Sequence, residues 1–425
     1  MNILLCCQFY APSTGGVQEV IQQIAEHLVG RGHQVNVATT KLSIRDFNTL
    51  NGVKIKEFDI QGNYVTGMVG QVEAYQKYVV DSDFDVMMIY AAQQWTFDAL
   101  WPVLGDIKFP KVFVPCGFSS LYEPGYARYF QELPSVLRKL DHLVFHASKY
   151  RDIDFARKYG IETFSIVPNG ASKIEFDVAI DSTFKMRHGI PEQSFVFLTV
   201  GSFTGLKGHK ELTYAFSKMK LPKHQHATLI LNGNKVQRLE QGLVGISKKI
   251  IGLVKTHGVF YSLTQIIKKM IGLSASIRSV VESINKFQDN KLVLITDFPR
   301  TELTQAFMMA DLFVFASNIE YSPLVLFEAA AAGTPFLSVN VGNAAEIAEW
   351  TGAGVMCPSE IDSKCYTHVN EQVLAQSMAG LISQKELLEK LGATGKRNWR
   401  EHYTWDKVSN QYEQIFKQLV QKDCF

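Results

Sequence analysis

The stretch "IEYSPLVLFE", Ile319 to Glu328, holds two glutamates eight positions apart around a proline and an aliphatic patch. Upstream, "DLFVFAS" (Asp311 to Ser317) is a short aromatic-rich apolar run with polar flanks, the pattern of a buried strand. Downstream, "PLVLFEAAAAG" opens on Pro323 and closes on Gly333. Proline suits the first helical position and glycine the position just past a helix end. "TPFLSVNV" then reads as the next strand. Glu320 is therefore expected in a loop leaving a strand, and Glu328 about two turns into the helix that follows. In an open α/β sheet that loop lies at the carboxyl edge, where ligands bind. The helix start adds unpaired N–H groups and a partial positive charge.

The rest of the chain is consistent with such a sheet. Its 425 residues exceed one ordinary core and imply two domains of roughly 200 residues each. A hydrophobic content of 46%, a charged content of 20% and a formal net charge of +2 describe a globular protein and give no argument for a nucleic-acid partner. The six cysteines form no C-x-x-C pair, which points to a reduced, cytoplasmic setting. The start, "MNILLCCQFYAPSTGG", reads as a first buried strand rather than a signal peptide, and no run of about 18 uncharged apolar residues suggests a spanning helix.

Strand-like runs recur along the first part: "NILLCCQF", "QVNVATT", "VKIKEFDI", "DVMMIYA", "KVFVPC", "HLVFHA" and "FSIVPN". Helix-length segments such as "GVQEVIQQIAEHLVGRG" separate several of them. A second series runs through "SFVFLTVGS", "ATLILNG", "KLVLITD", "DLFVFAS" and "PFLSVNV". This alternation predicts an α/β fold of two doubly wound, Rossmann-like domains, residues 1–180 and 190–402, facing each other across a cleft. Residues 403–425 are expected to form an amphipathic tail helix, with Thr404 as its N-cap. Residues 235–288 break the rhythm with nine Lys or Arg and two Glu, a local charge of +7. Their lysine pairs, interleaved with aliphatics at helical spacing, fit a helical insertion that caps its own domain, lies on an anionic membrane surface or binds a protein.

Several loops are expected to converge on the cleft. Lys207 lies in a glycine-flanked turn after the first strand of the second series, with Ser202 earlier in the same loop, a natural place for a phosphate contact. Asn232 ends the next strand. Gly15 and Gly16 sit between the first strand and first helix, where paired glycines permit close backbone approach to a ligand. The G-x-G-x-x-G pattern of nicotinamide cofactors is absent from that loop. A helix start with two acids suits phosphate together with diols, because a carboxylate accepts from two vicinal hydroxyls. A nucleotide sugar supplies a diphosphate, a ribose diol and a sugar.

The sequence E-Y-S-P-L-V-L-F-E-A-A-A-A-G-T-P resembles the E-x7-E signature of the family 4 retaining glycosyltransferases of the GT-B fold. The amino-terminal glycine loop, "VPNGAS" (Val167 to Ser172), the Lys207–Gly208 turn and the Trp405 tail helix are similar in type and order, over nearly the whole chain outside 235–288. The resemblance implies that residues 1–180 bind the acceptor, that residues 190–402 bind the nucleotide sugar, and that the tail helix returns to the first domain. It implies that Glu320 contacts the transferred sugar, Glu328 the ribose and Lys207 the diphosphate, with backbone amides around Ser322, Leu324 and Val325 assisting. Three positions depart from the family pattern: Ser202 stands where an arginine is usual, Tyr321 where a glycine follows the first acid, and Cys116 near a usual histidine.

"DSDFD", Asp81 to Asp85, contains a D-x-D pattern, but it precedes a strand and so belongs at the amino edge of the sheet. No metal and no cofactor are expected beyond the nucleotide sugar as co-substrate. The expected partners are that donor and a saccharide or lipid-linked saccharide acceptor, in envelope polysaccharide or glycolipid synthesis. Two rivals remain at this level: a nucleotide-sugar epimerase on the same scaffold, and a non-catalytic sugar-nucleotide binder suggested by Ser202 and Cys116.

Overall fold

The computed structural model describes residues 1–233 and 277–422. The basic insertion expected over 235–288 lies outside the described residues except at its end, where 277–287 is helical. The described chain forms two compact units. The first comprises Met1–Ala171, the tetrapeptide Tyr321–Leu324 and the residues from Glu401 onward; the second comprises Ser172–Glu320 and Val325–Arg400.

The first unit is built on an eight-stranded sheet. Its strands are β1 (Asn2–Cys6), β2 (Gln34–Thr40), β3 (Thr49–Leu50), β4 (Val53–Phe58), β5 (Val86–Tyr90), β6 (Lys111–Val114), β7 (His142–Phe145) and β8 (Phe164–Ile166). Their order is β8-β7-β6-β5-β1-β2-β4-β3, all parallel except β3 against β4. Alternate residues of β1 enter two different cores. Leu4 and Cys6 join Trp95, Phe97 and Phe113, whereas Ile3 and Leu5 join Ile21, Ile24 and Leu28 of helix α1 (Gly16–Gly30). Both faces are thus covered, which is why the strands read as continuous apolar runs.

The tail helix, which we label α6 (Trp405–Lys422), lays Trp405, Tyr412 and Phe416 on the same core as α1. Thr404 Oγ accepts from the Lys407 amide at 3.4 Å, and Arg31 pairs with Asp406 at 2.8 Å. A small antiparallel hairpin, Ile60–Asn63 with Gly67–Gly70, has no counterpart in the sequence reading. Its strands carry glycine instead of the β-branched alternation that marks a strand.

The second unit holds six parallel strands: β9 (Ser194–Val200), β10 (His226–Asn232), β11 (Lys291–Thr296), β12 (Leu312–Phe315), β13 (Phe336–Val339) and β14 (Gly354–Cys357), in the order β11-β10-β9-β12-β13-β14. The helices that matter below are α3 (His209–Lys218), α4 (Arg300–Met309) and α5 (Leu324–Ala332), with α2 (Arg151–Lys158) in the first unit. Each sheet winds in both directions from its first strand. The reversal falls between β1 and β5 in the first unit and between β9 and β12 in the second. Loops at the carboxyl ends of such strand pairs are the ligand-binding positions of doubly wound sheets. Among the described residues no helix is long and apolar enough to cross a membrane.

Asp98 is fully buried in the first unit, accepting from the Tyr129 hydroxyl at 2.9 Å and the Tyr64 amide at 3.0 Å. Burial raises its pKa to about 7, against the two hydrogen bonds. An acid whose pKa is raised on folding holds its proton more tightly in the native state, so its stability cost eases as pH falls through 7 toward the unfolded value. Relative to Asp98→Asn, the wild-type chain should gain stability on acidification from pH 8 to 5. One proton contributes at most about 1.4 kcal/mol per pH unit in that window. Denaturant titrations of both proteins across the range check it, and parallel pH profiles would contradict it.

Candidate functional site

The site is set by a close approach of two loops in the second unit. After β9 the chain runs through Gly201 and Ser202 to the Lys207–Gly208 turn that starts α3. After β12 it runs through Ala316 to Glu320. Gly208 is left-handed, with φ +71°, and a Cβ there would stand 2.0 Å from the Ala316 carbonyl oxygen. Only glycine fits both the torsion and the contact. The Asn318 amide donates to Leu206 O at 2.9 Å, and Ser317 Oγ lies 3.0 Å from both Leu206 O and Glu320 Oε1. This stitching brings the Lys207 ammonium to Glu320 Oε1 at 2.5 Å.

The second acid is paired as well. Glu328, on the inner face of α5, is 7% exposed, and Arg300 Nη2 reaches its Oε1 at 2.6 Å. The same guanidinium grips Glu175 side-on, Nε to Oε1 and Nη2 to Oε2, both at 2.7 Å. Arg300 begins α4, in the loop that leaves β11. Two carboxylates thus stand at the carboxyl edge of one sheet, each held by a cation that fixes its direction. Nothing around Arg300 in the sequence marks it; the partnership joins residues far apart in the chain.

The other expected contacts fall out unequally. Ser202 lies in the Lys207 loop. Asn232 is spent internally, its Oδ1 accepting from Thr296 Oγ1 at 3.0 Å and the Phe298 amide at 2.9 Å, so it ties β10 to the loop after β11. Val325 sits in the first turn of α5. His209, which the sequence reading passed over, is buried directly after the glycine turn and stacks on Phe203 with ring centroids 4.3 Å apart. Neither ring nitrogen has a hydrogen-bond partner. Burial, and then the Lys207 charge, push its pKa down to about 4, so the ring is neutral.

Ser322 and Leu324 group with the first unit. Ser322 O accepts from Asn169 Nδ2 at 3.1 Å, within the "VPNGAS" segment, and Leu324 Cδ1 would lie 3.9 Å from a Cβ on Gly16. The hydroxyl of Ser322 and Oδ1 of Asn169 are buried without a hydrogen-bond partner. Gly15 is extended and opens α1.

Two departures from the family pattern meet here. Cys116 and Gly117 turn the chain after β6 with φ of 61° and 89°. The Tyr321 ring covers that turn, its Cγ 2.9 Å from where a Gly117 Cβ would be. The Tyr321 hydroxyl accepts from the His146 amide at 2.9 Å and donates to the buried Asp152. Asp152 also accepts from the Gly117 amide at 2.8 Å. Burial, partly offset by these bonds, raises its pKa to about 6. Burial pushes the Cys116 thiol up to about 12, which removes it as a nucleophile at neutral pH. His146 is buried and neutral, its pKa lowered to about 4 by burial, with Nδ1 2.8 Å from Val167 O and Nε2 2.6 Å from the Tyr90 hydroxyl. In "DSDFD", Asp81 pairs with Lys77 at 2.9 Å and Asp85 accepts from the Asn2 amide at 2.6 Å, before β5 begins.

Comparison with known proteins bears on the fold and the general activity. Residues 278–398 match the family model "Glycosyl transferases group 1". An uncharacterized glycosyltransferase of Methanocaldococcus jannaschii is 21% identical, with 98% of each chain covered. N-acetyl-alpha-D-glucosaminyl L-malate synthase of Bacillus anthracis is 23% identical over 239 residues, 56% of this chain and 49% of that protein. Among solved structures, Anabaena HepE in complex with UDP superposes with a TM-score of 0.68 at 16% identity, covering 99% of this chain and all of that one. The fold is GT-B, and the sequence likenesses support a glycosyltransferase.

The glycine turn generates a test. Gly208→Ala adds a Cβ into the Ala316 carbonyl at a positive φ, and should destabilise the protein by about 1–3 kcal/mol. A denaturant midpoint equal to wild type would contradict the close approach.

Proposed function

We propose that this chain is a retaining glycosyltransferase that moves a sugar from a nucleotide-sugar donor to a hydroxyl acceptor, with the donor held by the second unit. The observation that carries this reading is the pair of compensated acids, Lys207 with Glu320 and Arg300 with Glu328, at the carboxyl edge of β9 to β12. Such an arrangement suits a ligand that is anionic at one end and rich in hydroxyls at the other. The UDP complex of the structurally similar HepE supports a nucleotide diphosphate as that ligand.

In this reading Glu328, aimed by Arg300, accepts from the ribose hydroxyls. Lys207 leaves Glu320 for the diphosphate and neutralises it, with the amides at the start of α5 assisting. Glu320, released from its ion pair, holds the sugar. The bond from the anomeric carbon to the diphosphate oxygen breaks, the acceptor oxygen bonds to that carbon on the same face, and the hydroxyl proton passes to the departing phosphate. Lys207 and the helix start supply the positive charge that a metal supplies elsewhere, so turnover is expected without one. The acceptor is assigned to saccharides or lipid-linked saccharides of envelope polysaccharide or glycolipid synthesis; the support is the +7 charge of residues 235–288.

A thermal-shift panel of nucleotide sugars identifies the donor, since a ligand of the native state stabilises it in proportion to occupancy. Glu328→Ala should then weaken donor binding by about 1.5–3 kcal/mol, as expected for hydrogen bonds to a charged group. Isothermal titration of the folded variant checks this, and unchanged affinity rejects the ribose role. Glu320→Gln should lower kcat more than donor affinity, because a sugar contact strengthens as the anomeric carbon gains positive charge. Turnover should survive excess chelator; a strict divalent-metal requirement would overturn the metal-free reading.

A further inference from the structure

We infer that the first unit carries a recognition site for an oxyanion, built on the unspent edge of Arg151. Arg151 begins α2, at the carboxyl end of β7, and is 8% exposed. Its Nη1 donates to Ser119 O at 3.2 Å. Nε and Nη2, the side-on edge of the guanidinium, are buried and have no hydrogen-bond partner. Among the described residues no carboxylate forms an ion pair with it. The adjacent Asp152 is committed elsewhere, accepting from the Gly117 and Ile153 amides and from Tyr321. A buried guanidinium with its bidentate edge open is unusual, because that edge matches two oxygens of a carboxylate or a phosphate. Arg300 shows the same edge in use in this protein, gripping both oxygens of Glu175.

A second donor stands nearby. Gln93 Oε1 accepts from Ser119 Oγ and the Ser120 amide, both at 3.3 Å, which leaves Gln93 Nε2 buried and unpartnered. Arg151 and Gln93 therefore flank Ser119 with three nitrogen donors that have no hydrogen-bond partner. The backbone around them is held in a costly conformation. Ala91 and Gln93 after β5, and Cys116 and Phe118 after β6, are all non-glycine residues with φ between 48° and 70°. Strained residues of this kind persist where the surroundings over-determine them, and they gather at ligand sites. The rings of Tyr122 and Tyr150 lie 5.6 and 5.2 Å from the Arg151 guanidinium carbon. Tyr122 is 53% exposed.

The ligand is a carboxylate or phosphate group. In the transferase reading, on which this assignment of role rests, it is the anionic part of the acceptor. The shared chemistry has two sources, a sugar acid or a phosphate-linked acceptor, and the test separates them. The full chain is titrated calorimetrically with inorganic phosphate and, separately, with succinate, each in the presence of saturating UDP so that Lys207 is occupied. At least one of the two should bind, and its identity tells which source the site prefers.

Arg151→Lys keeps the charge but removes the fork, and should weaken that anion at least tenfold. Gln93→Glu keeps the Oε1 acceptor and replaces the Nε2 donor with a carboxylate oxygen, and should do the same. Affinity for UDP should be unchanged in both variants. Binding of neither anion by the wild-type chain overturns the inference, as does wild-type anion affinity in the variants; Gln93→Glu decides if Arg151→Lys does not fold. Should UDP itself fail to bind, the donor reading falls, while the loss of anion binding in the variants still reports on Arg151.

Discussion

The contact between Gly208 and the Ala316 carbonyl oxygen governs the second unit. It lets the loop after β9 lie directly on the loop after β12, and the Lys207–Glu320 half of the site follows from that proximity. Lys207 meets Glu320 because the turn that carries it cannot stand further off. A doubly wound sheet puts these loops beside each other at the reversal of strand order, and glycine allows them to touch.

Charge compensation is the second organising principle. Isolated carboxylates at a helix start would repel a diphosphate. Here Glu320 pairs with Lys207, while Glu328 and Glu175 share Arg300. In the proposed function, lysine moves from carboxylate to phosphate, which would couple donor binding to release of Glu320. Glu328 instead shares its cation, in the three-way pairing Glu175–Arg300–Glu328. One acid is thus held by a single ammonium and the other by a forked guanidinium.

Much of this was legible in the sequence wherever a local rule governs. The bracket of Pro323 and Gly333 around an apolar run marked α5, and φ +82° at Gly333 is the left-handed helix end that glycine serves. The strand runs were legible because both sheet faces are buried. What the sequence hid depends on distant pairing. Arg300 lies in "DFPRTEL", which reads as an ordinary helix start, and its partners are at 175 and 328. Arg151 looks like one more charged residue opening a helix; its neighbours Ser119 and Tyr122 come from a distant loop, after β6. Tyr321 read as a departure from a family pattern, whereas the fold uses it, with Asp152 and the His146 amide, to seat the residue next to Glu320 in the first unit. The internal bonds of Asn232 Oδ1, which tie β10 to the loop after β11, are hidden in the same way.

The central claim is that the paired acids of the second unit form a nucleotide-sugar site. The most direct measurement is a crystal structure of the full chain with a nucleoside diphosphate bound. The account predicts the ribose hydroxyls on Glu328, the diphosphate against Lys207 and the start of α5, and Lys207 drawn away from Glu320. A nucleotide bound elsewhere, or bound here with the Lys207–Glu320 pair intact and Glu328 out of reach of the ribose, would contradict it.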